Sequence, residues 1–283
     1  MSATIPRACV IGHPVAHSRS PLLHGYWLRT LGIPGAYERA DVSAGDFPAF
    51  LRNLQAHGYV GANITVPHKG EAFRMVDRRD GAADAIGAVN TVWYAGDELV
   101  GGNTDAYGFI AHLDASLPGW DARAPRAVVL GAGGAARAVV HALLERGLAV
   151  AVVNRTIARA QELAIHFAMR PSDHGFDELP DVLSRADLLV NATSLGMAGK
   201  EPLRIDLGPL KAGAMVYDIV YVPLETALLR AAARLGHRTV DGLGMLLHQA
   251  VPGFSRWFGV TPTVTPELRA LVEADIRATS GTA

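Results

Sequence analysis

Cys9 is the only cysteine in 283 residues, so no disulfide can form within the chain and thiolate zinc centres are excluded; this suits a reducing, cytoplasmic setting. Lysine is almost as scarce. Of 26 basic residues only Lys69, Lys200 and Lys211 are lysines, and the other 23 are arginines. Neither charge sign dominates, since the formal net charge is −1, and that leaves no electrostatic footprint for nucleic acid or an anionic membrane. No apolar run approaches membrane length, and residues 1–15 lack the basic start and continuous apolar core of a signal peptide. The 11 histidines show no paired metal spacing. His13 and His17 are separated by Pro14 and share no helix face, so no metal is expected. What remains is an ordinary soluble composition, 49% hydrophobic and 19% charged, long enough for two domains with a core each.

The most informative stretch that is present spans residues 128–136, VVLGAGGAA, where an apolar strand runs into a glycine-rich turn that opens an alanine-rich helix. Gly131 allows the tight turn, and Gly133 lets backbone N–H groups approach a phosphate. The helix starting near Gly134 turns its positive end to that charge. Ala132 and Ala135 complete the candidate cradle. Residues 135–147 read as its helix and 148–153 as a buried parallel strand. Asn154 follows 23 residues after Gly131, where an NAD-binding unit usually carries a carboxylate for the ribose 2′-hydroxyl. Here stand Asn154, Arg155 and Thr156, with Arg159 one helical turn beyond Arg155. Two guanidinium forks and a hydroxyl suit a 2′-phosphate, so the pattern points to NADP rather than NAD. A plainer reading makes the arginines a solvated helix start, but cations there oppose the helix dipole unless an anion is near.

More than a hundred residues precede this loop, so we expect the substrate domain to come first. Strands are predicted at 7–11, 36–40 and 61–66, with a helix running from the loop at 12–21 to about Leu31 and another over 46–57 with Asp46 as its N-cap. This is a parallel α/β pattern. Residues 89–94 and 98–100 flank Ala95, Gly96 and Asp97 as a hairpin. A helix is expected over 106–117 and a surface loop over 117–125. Strands follow at 187–192, 214–220 and 238–240 with helices between them, and residues 243–283 read as helices packing back on the first domain, the last one opened by Pro266. The fold class is thus α/β in two domains: a substrate domain over 1–105, a Rossmann-type NADP-binding domain over 106–242, and C-terminal helices over 243–283. Residues 169–178 fit no element well.

In open α/β sheets, ligands gather beyond the carboxyl ends of strands. NITVPHK (63–69) puts Lys69 at such an end, and a lysine, unlike arginine, can exchange a proton in a protein. Lys69 is therefore an acid/base candidate, or else it caps a surface turn. GNTDAYG (102–108) places Asp105 beyond another strand, where it can orient Lys69, serve as the N-cap of the following helix, or do both. Asn90, in GAVNTV, offers an amide that both donates and accepts, as a polyhydroxylated ligand requires. Ser18 and Ser20, in HSRSP, either grip a carboxylate or cap the next helix.

These motifs, with GHPVAHSRSP, GAGGAARA, NRTxxRA, NATSLGM, DIVYVP and DGLGMLLHQA in the same order along nearly the whole chain, resemble the shikimate dehydrogenase family closely. The resemblance implies reversible reduction of 3-dehydroshikimate to shikimate by NADPH, an oxidoreductase step of aromatic amino acid (chorismate) biosynthesis in the cytoplasm. It implies that Ser18 and Ser20 bind the substrate carboxylate, and that Thr65, Asn90, Asp105 and Gln249 hold the ring hydroxyls. Lys69 with Asp105 would form the catalytic pair. Tyr221 is assigned to the substrate side, and residues 131–135, 154–159, Ile219 and Gly242 to NADP.

Two positions depart from the family pattern. Gly25 replaces a common Asn, at an expected small cost in helix stability, and Ile219 replaces a methionine with a stiffer side chain beside the nicotinamide. The expected partner is the small-molecule substrate, with no nucleic acid and no membrane, in a monomer or homodimer. Three rivals stand beside this reading. The nearest, an NAD-using quinate/shikimate dehydrogenase, is opposed by the paired serines and Arg155. A folate-type methylene dehydrogenase would not need the HSRSP grip. A non-catalytic NADP-binding paralogue would have no reason to keep both Lys69 and Asp105.

Overall fold

The computed structural model describes residues 5–122, 126–169 and 173–280. The chain divides into two compact units: residues 1–104 with 247–272, and residues 105–246 with 273–283. One boundary falls between Thr104 and Asp105, and the other two fall inside the last two helices of the chain.

The first unit is built on strands β1 (Arg7–Gly12), β2 (Ala36–Asp41) and β3 (Tyr59–Ile64), followed by β4 (Arg78–Arg79), β5 (Thr91–Ala95) and β6 (Glu98–Gly102). Their order across the sheet is β2-β1-β3-β5-β6-β4. The first three strands are mutually parallel, whereas β5 runs antiparallel to both β3 and β6. The predicted hairpin is present: Ala95 pairs with Glu98, leaving Gly96 and Asp97 as a two-residue turn, and Gly96 takes the positive φ that such turns demand. Strand β3 ends at Ile64, two residues short of expectation, because His68 N donates to Thr65 O and turns the chain.

Helix α1 (Ser20–Thr30) starts on Pro21 and buries Leu23, His24, Trp27 and Leu28, spaced as one helical face. Helix α2 (Phe47–Arg52) is shorter than the predicted 46–57, and Asp46 makes no capping bond to it. Its carboxylate instead accepts from Ser43 Oγ at 2.6 Å. Helices α3 (Lys69–Met75) and α4 (Gly81–Ile86) were not foreseen. Phe47, Leu51, Leu54, Ile64 and Val92 anchor one core cluster of this unit.

The second unit opens on α5 (Asp105–Ser116) and carries β7 (Arg126–Leu130), α6 (Gly134–Glu145), β8 (Ala149–Val153), α7 (Ile157–His166), β9 (Asp173–His174) and α8 (Leu179–Leu183). There follow β10 (Leu188–Asn191), β11 (Met215–Asp218), α9 (Ala227–Arg234) and β12 (Arg238–Val240). The sheet order is β12-β11-β10-β7-β8-β9, and every pair is parallel. Order reverses at β7, the switch point where a doubly wound sheet opens a crevice. The expected helix between β10 and β11 is absent. That connection is irregular, and buried Leu203, Leu207 and Leu210 cover the sheet in its place. Of the predicted surface loop at 117–125, residues 123–125 lie outside the described residues, and Trp120 is buried with its indole bonded to Asp114. The unassigned 169–178 stretch supplies β9 and a short 3₁₀ turn, Phe176–Glu178; residues 170–172 lie outside the described ones.

Helix α10 (Leu243–Phe258) runs from the second unit into the first. Within the first unit Trp257 lies on the sheet, its indole N–H donating to Val92 O at 2.9 Å. A Cβ on Gly61 would strike that indole nitrogen at 2.1 Å, so the close approach depends on glycine there. Helix α11 (Pro266–Ser280) starts on its expected proline and is capped by Thr265, whose Oγ1 accepts from Leu268 N at 3.3 Å. From Glu273 the chain groups with the second unit.

Candidate active site

The strand directions of the first unit bring most candidate residues to one end of its sheet. The loop after β1 carries Ser18 and Ser20, and the turn after β3 carries Thr65 and Lys69. The antiparallel hairpin returns Asn90, before β5, and Thr104, after β6, to that same end, because Asn63 pairs with Thr91 and Thr91 with Gly102. Backbone bonds knit these segments: Ile64 N donates to Asn90 O at 2.7 Å, Asn90 N to Gly102 O at 3.0 Å, and Val89 N to Lys69 O at 3.1 Å. Gly12 lies so close to Thr65 that a Cβ would meet its methyl at 2.4 Å. Lys69 is half-buried and opens α3 just after His68, which is buried and held by a 2.8 Å bond to Val42 O.

Beneath this edge runs a buried chain of neutral polar groups. Tyr37 Oη donates to Asn63 Oδ1 at 2.5 Å, Asn63 Nδ2 to Thr91 Oγ1 at 3.1 Å, and Thr91 Oγ1 to Asn90 Oδ1 at 2.9 Å. Thr104 adds its backbone N–H (2.9 Å) and hydroxyl (3.2 Å) to Asn90 Oδ1, and its Oγ1 lies 3.4 Å from Gln249 Oε1. Three donors on one oxygen fix the amide orientation of Asn90, turning its Nδ2 away from them. His24 stacks on Tyr37 at 3.9 Å; it is fully buried and neither ring nitrogen has a hydrogen-bond partner. Burial pushes its pKa down to about 3, so the ring is neutral.

Ser18 and Ser20 converge, Ser18 Oγ donating to Ser20 Oγ at 3.2 Å and accepting from Ser20 N at 3.3 Å. Asp105 and Tyr221 belong to the second unit, both half-buried. Asp105 stands inside the first turn of α5 rather than at its N-cap, one residue later than expected, where a carboxylate still favours the helix dipole.

In the second unit the cradle forms where β7 ends. Gly131 has φ +106, and a Cβ on it would meet Thr193 and the Ala192 carbonyl at 3.0–3.1 Å. Gly133 and Gly134 differ: both are exposed, and a Cβ on either would meet nothing within 4 Å. Internal packing does not require those two glycines, whereas a phosphate approaching the start of α6 does. Ala132 and Ala135 flank them, half-buried. Asn154 follows β8 and holds the turn through a 2.8 Å bond from Nδ2 to Thr156 O. Arg155, Thr156 and Arg159 are exposed at the start of α7, which has no acidic residue in its first turn. Ile219 is seated by Gly242, where a Cβ would meet the Ile219 carbonyl oxygen at 2.1 Å. The residues present therefore fit a phosphorylated dinucleotide.

The sequence reading missed Asp218. Its fully buried carboxylate accepts from Thr226 Oγ1 (2.7 Å), Asn191 Nδ2 (2.8 Å) and Val220 N (3.1 Å), joining the loops after β10 and β11. Burial raises its pKa, opposed by the three donors. The signal lay in DIVYVP, where a lone Asp closes a wholly apolar strand.

Family models match residues 10–92 as a shikimate dehydrogenase substrate binding domain and residues 116–199 as shikimate / quinate 5-dehydrogenase. A shikimate dehydrogenase (NADP(+)) of Brucella melitensis is 57% identical over 274 residues, which cover 95% of this chain and 94% of that protein. Among solved structures, shikimate 5-dehydrogenase of Thermus thermophilus, in complex with NADP(H) and shikimate, is 37% identical with a TM-score of 0.84 over 96% of this chain and 99% of that one. Quinate dehydrogenase of Corynebacterium glutamicum, in complex with NAD, is 33% identical with a TM-score of 0.86 over 95% and 99%. Identity at that level over nearly all of both chains, with both family models in the expected order, shows that the chain belongs to the shikimate dehydrogenase family.

Proposed function

We infer that the protein catalyses the NADP-dependent, reversible interconversion of 3-dehydroshikimate and shikimate, the first unit taking the substrate and the second the cofactor. The observation that carries this reading is the gathering of Ser18, Ser20, Thr65, Lys69, Asn90 and Gln249 on one unit, at one end of one sheet. NADPH, when bound, supplies the hydride that reduces the ketone carbon. Ser18 and Ser20 grip the carboxylate, while Thr65, Asn90, Gln249 and Asp105 take the ring hydroxyls. Tyr221 is assigned to the substrate side. Lys69 Nζ gives a proton to the ketone oxygen as the new hydroxyl forms, and removes it in the oxidative direction; Asp105 orients that ammonium.

On the cofactor side, the backbone of residues 131–135 faces the pyrophosphate at the positive end of α6. Arg155 and Arg159, with Thr156 and Asn154, select the 2′-phosphate. Ile219 and Gly242 shape the nicotinamide pocket. On this reading the protein acts in the route to aromatic amino acids, in the cytoplasm, as a monomer or homodimer whose partner is its small-molecule substrate.

Initial rates with shikimate and with quinate, each with NADP and with NAD, test the reading. Shikimate with NADP is expected to give the highest kcat/KM. If quinate with NAD were the better pair, the roles given to the serines and to Arg155 would both be wrong.

A further inference from the structure

Strand β2 lies at the edge of the first sheet and pairs only with β1. Its alternate residues Tyr37, Arg39 and Asp41 share one face, and Arg39 and Asp41 reach into the loop after β1. Asp41 Oδ1 lies 2.6 Å from His13 Nδ1, and its Oδ2 accepts from Val15 N at 3.4 Å. Tyr37 Oη donates to Asn63 Oδ1 on β3. Between them, the Arg39 guanidinium closes on a single acceptor, donating from Nε (3.1 Å) and Nη2 (2.6 Å) to the carbonyl oxygen of Ser18. An edge strand thus acts as a template for the loop that carries both serines.

The arrangement answers a chemical need of the proposed site. Serine hydroxyls are neutral donors, so a carboxylate held by them alone has no counter-charge in the grip. A planar fork on the Ser18 carbonyl fixes the peptide from which the Ser18 hydroxyl projects, and it leaves a fixed cation beside the grip. Lysine, with a single ammonium on a flexible stem, cannot reproduce the fork. We propose that Arg39 is a positioning residue for the carboxylate subsite, acting through Ser18 to set affinity for the anionic substrate. This rests on the reading of Ser18 and Ser20 given above.

The test is a double-mutant cycle. KM for shikimate, KM for NADP and kcat are measured for the wild type, Arg39→Gln, Arg39→Lys, Ser18→Ala and the pair Arg39→Gln/Ser18→Ala, with thermal melts to establish that each is folded. Arg39→Gln is expected to raise KM for shikimate about tenfold, the loss of one hydrogen-bonding unit to a held group, with kcat and KM for NADP within about threefold. Arg39→Lys is expected to resemble Arg39→Gln, and the paired variant to be no worse than Ser18→Ala alone. An unchanged KM in Arg39→Gln, wild-type behaviour in Arg39→Lys, or additive effects in the pair would each overturn the proposal. A wild type without activity on shikimate would overturn the proposed function itself, whereas an active wild type indifferent to Arg39 would overturn only this inference.

Discussion

The two units hold their sites in opposite ways. In the first, side chains do the positioning: neutral amides and hydroxyls from Tyr37 to Gln249 form a buried chain under Lys69 and the two serines. In the second, the proposed cofactor-facing surface is backbone, with Gly133 and Gly134 open to solvent, and one buried carboxylate at Asp218 ties the strand ends nearby. A surface of backbone N–H groups suits any pyrophosphate, while a surface of fixed side chains suits one pattern of hydroxyls. On the function proposed above, the first unit supplies most of the side chains that read the small substrate, and the second chooses its cofactor through a few exposed side chains such as Arg155.

The sharpest way to break this contrast is Lys69→Ala. Removal of one positioned proton donor is expected to lower turnover by roughly 100- to 10,000-fold with a much smaller change in shikimate binding; steady-state kinetics that leave kcat untouched would remove Lys69 from the chemistry. Next in size is a difference in how the two cores meet acid. His24 has its folded pKa depressed from 6.5 to about 3, so its contribution is fully present above pH 6.5 and is lost as pH falls toward 3, at up to about 1.4 kcal/mol per pH unit. Asp218 has its folded pKa raised: its proton-linked stabilisation is present below the ordinary carboxylate pKa and disappears as pH rises through the raised value. The first unit should therefore lose hydrogen-exchange protection before the second on acidification, and His24→Phe should flatten that loss. Identical acid profiles for wild type and variant would show that His24 does not govern it.

Asp218→Ala strips three donors of a buried acceptor and is expected to cost about 1–3 kcal/mol, read as a lowered Tm. Because the carboxylate links the loops after β10 and β11, KM for NADP should rise while KM for shikimate moves less; a variant with equal rises in both would blur the contrast between the units. The smallest expected effect is that of Arg155→Gln. Loss of one guanidinium of two should raise KM for NADP about tenfold and leave KM for NAD nearly unchanged, and equal changes for both cofactors would show that Arg155 does not read the 2′-phosphate.

The second sheet was the more legible of the two in sequence. The apolar run of β8 is buried on both faces and the glycine turn marks the end of β7, so periodicity and turn chemistry agree there. The absence of a helix between β10 and β11 was not legible, because Leu203, Leu207 and Leu210 stand at i, i+4 and i+7, the spacing of a helical face, although the segment is irregular. On the first unit, Lys69 and Asn90 could be singled out from the ends of strands, but not the bonds that hold them. Thr91 and Thr104 flank motif residues and read as ordinary β-formers until the hairpin brings both hydroxyls within reach of Asn90 Oδ1. Arg39 was hidden for a related reason. A charged residue on an edge strand is the expected guard against aggregation, and only the register of β2 beside β1 puts it at the Ser18 carbonyl.

The seat of Trp257 on Gly61 bears on the order in which the protein is made. The first sheet is complete in sequence by Gly102, yet the tryptophan that covers its central strands is translated more than 150 residues later, after the whole of the second sheet has left the ribosome. The sheet that emerges first is thus covered only after the other sheet is complete, and a nascent chain stopped before residue 257 would display β3 and β5 without their tryptophan.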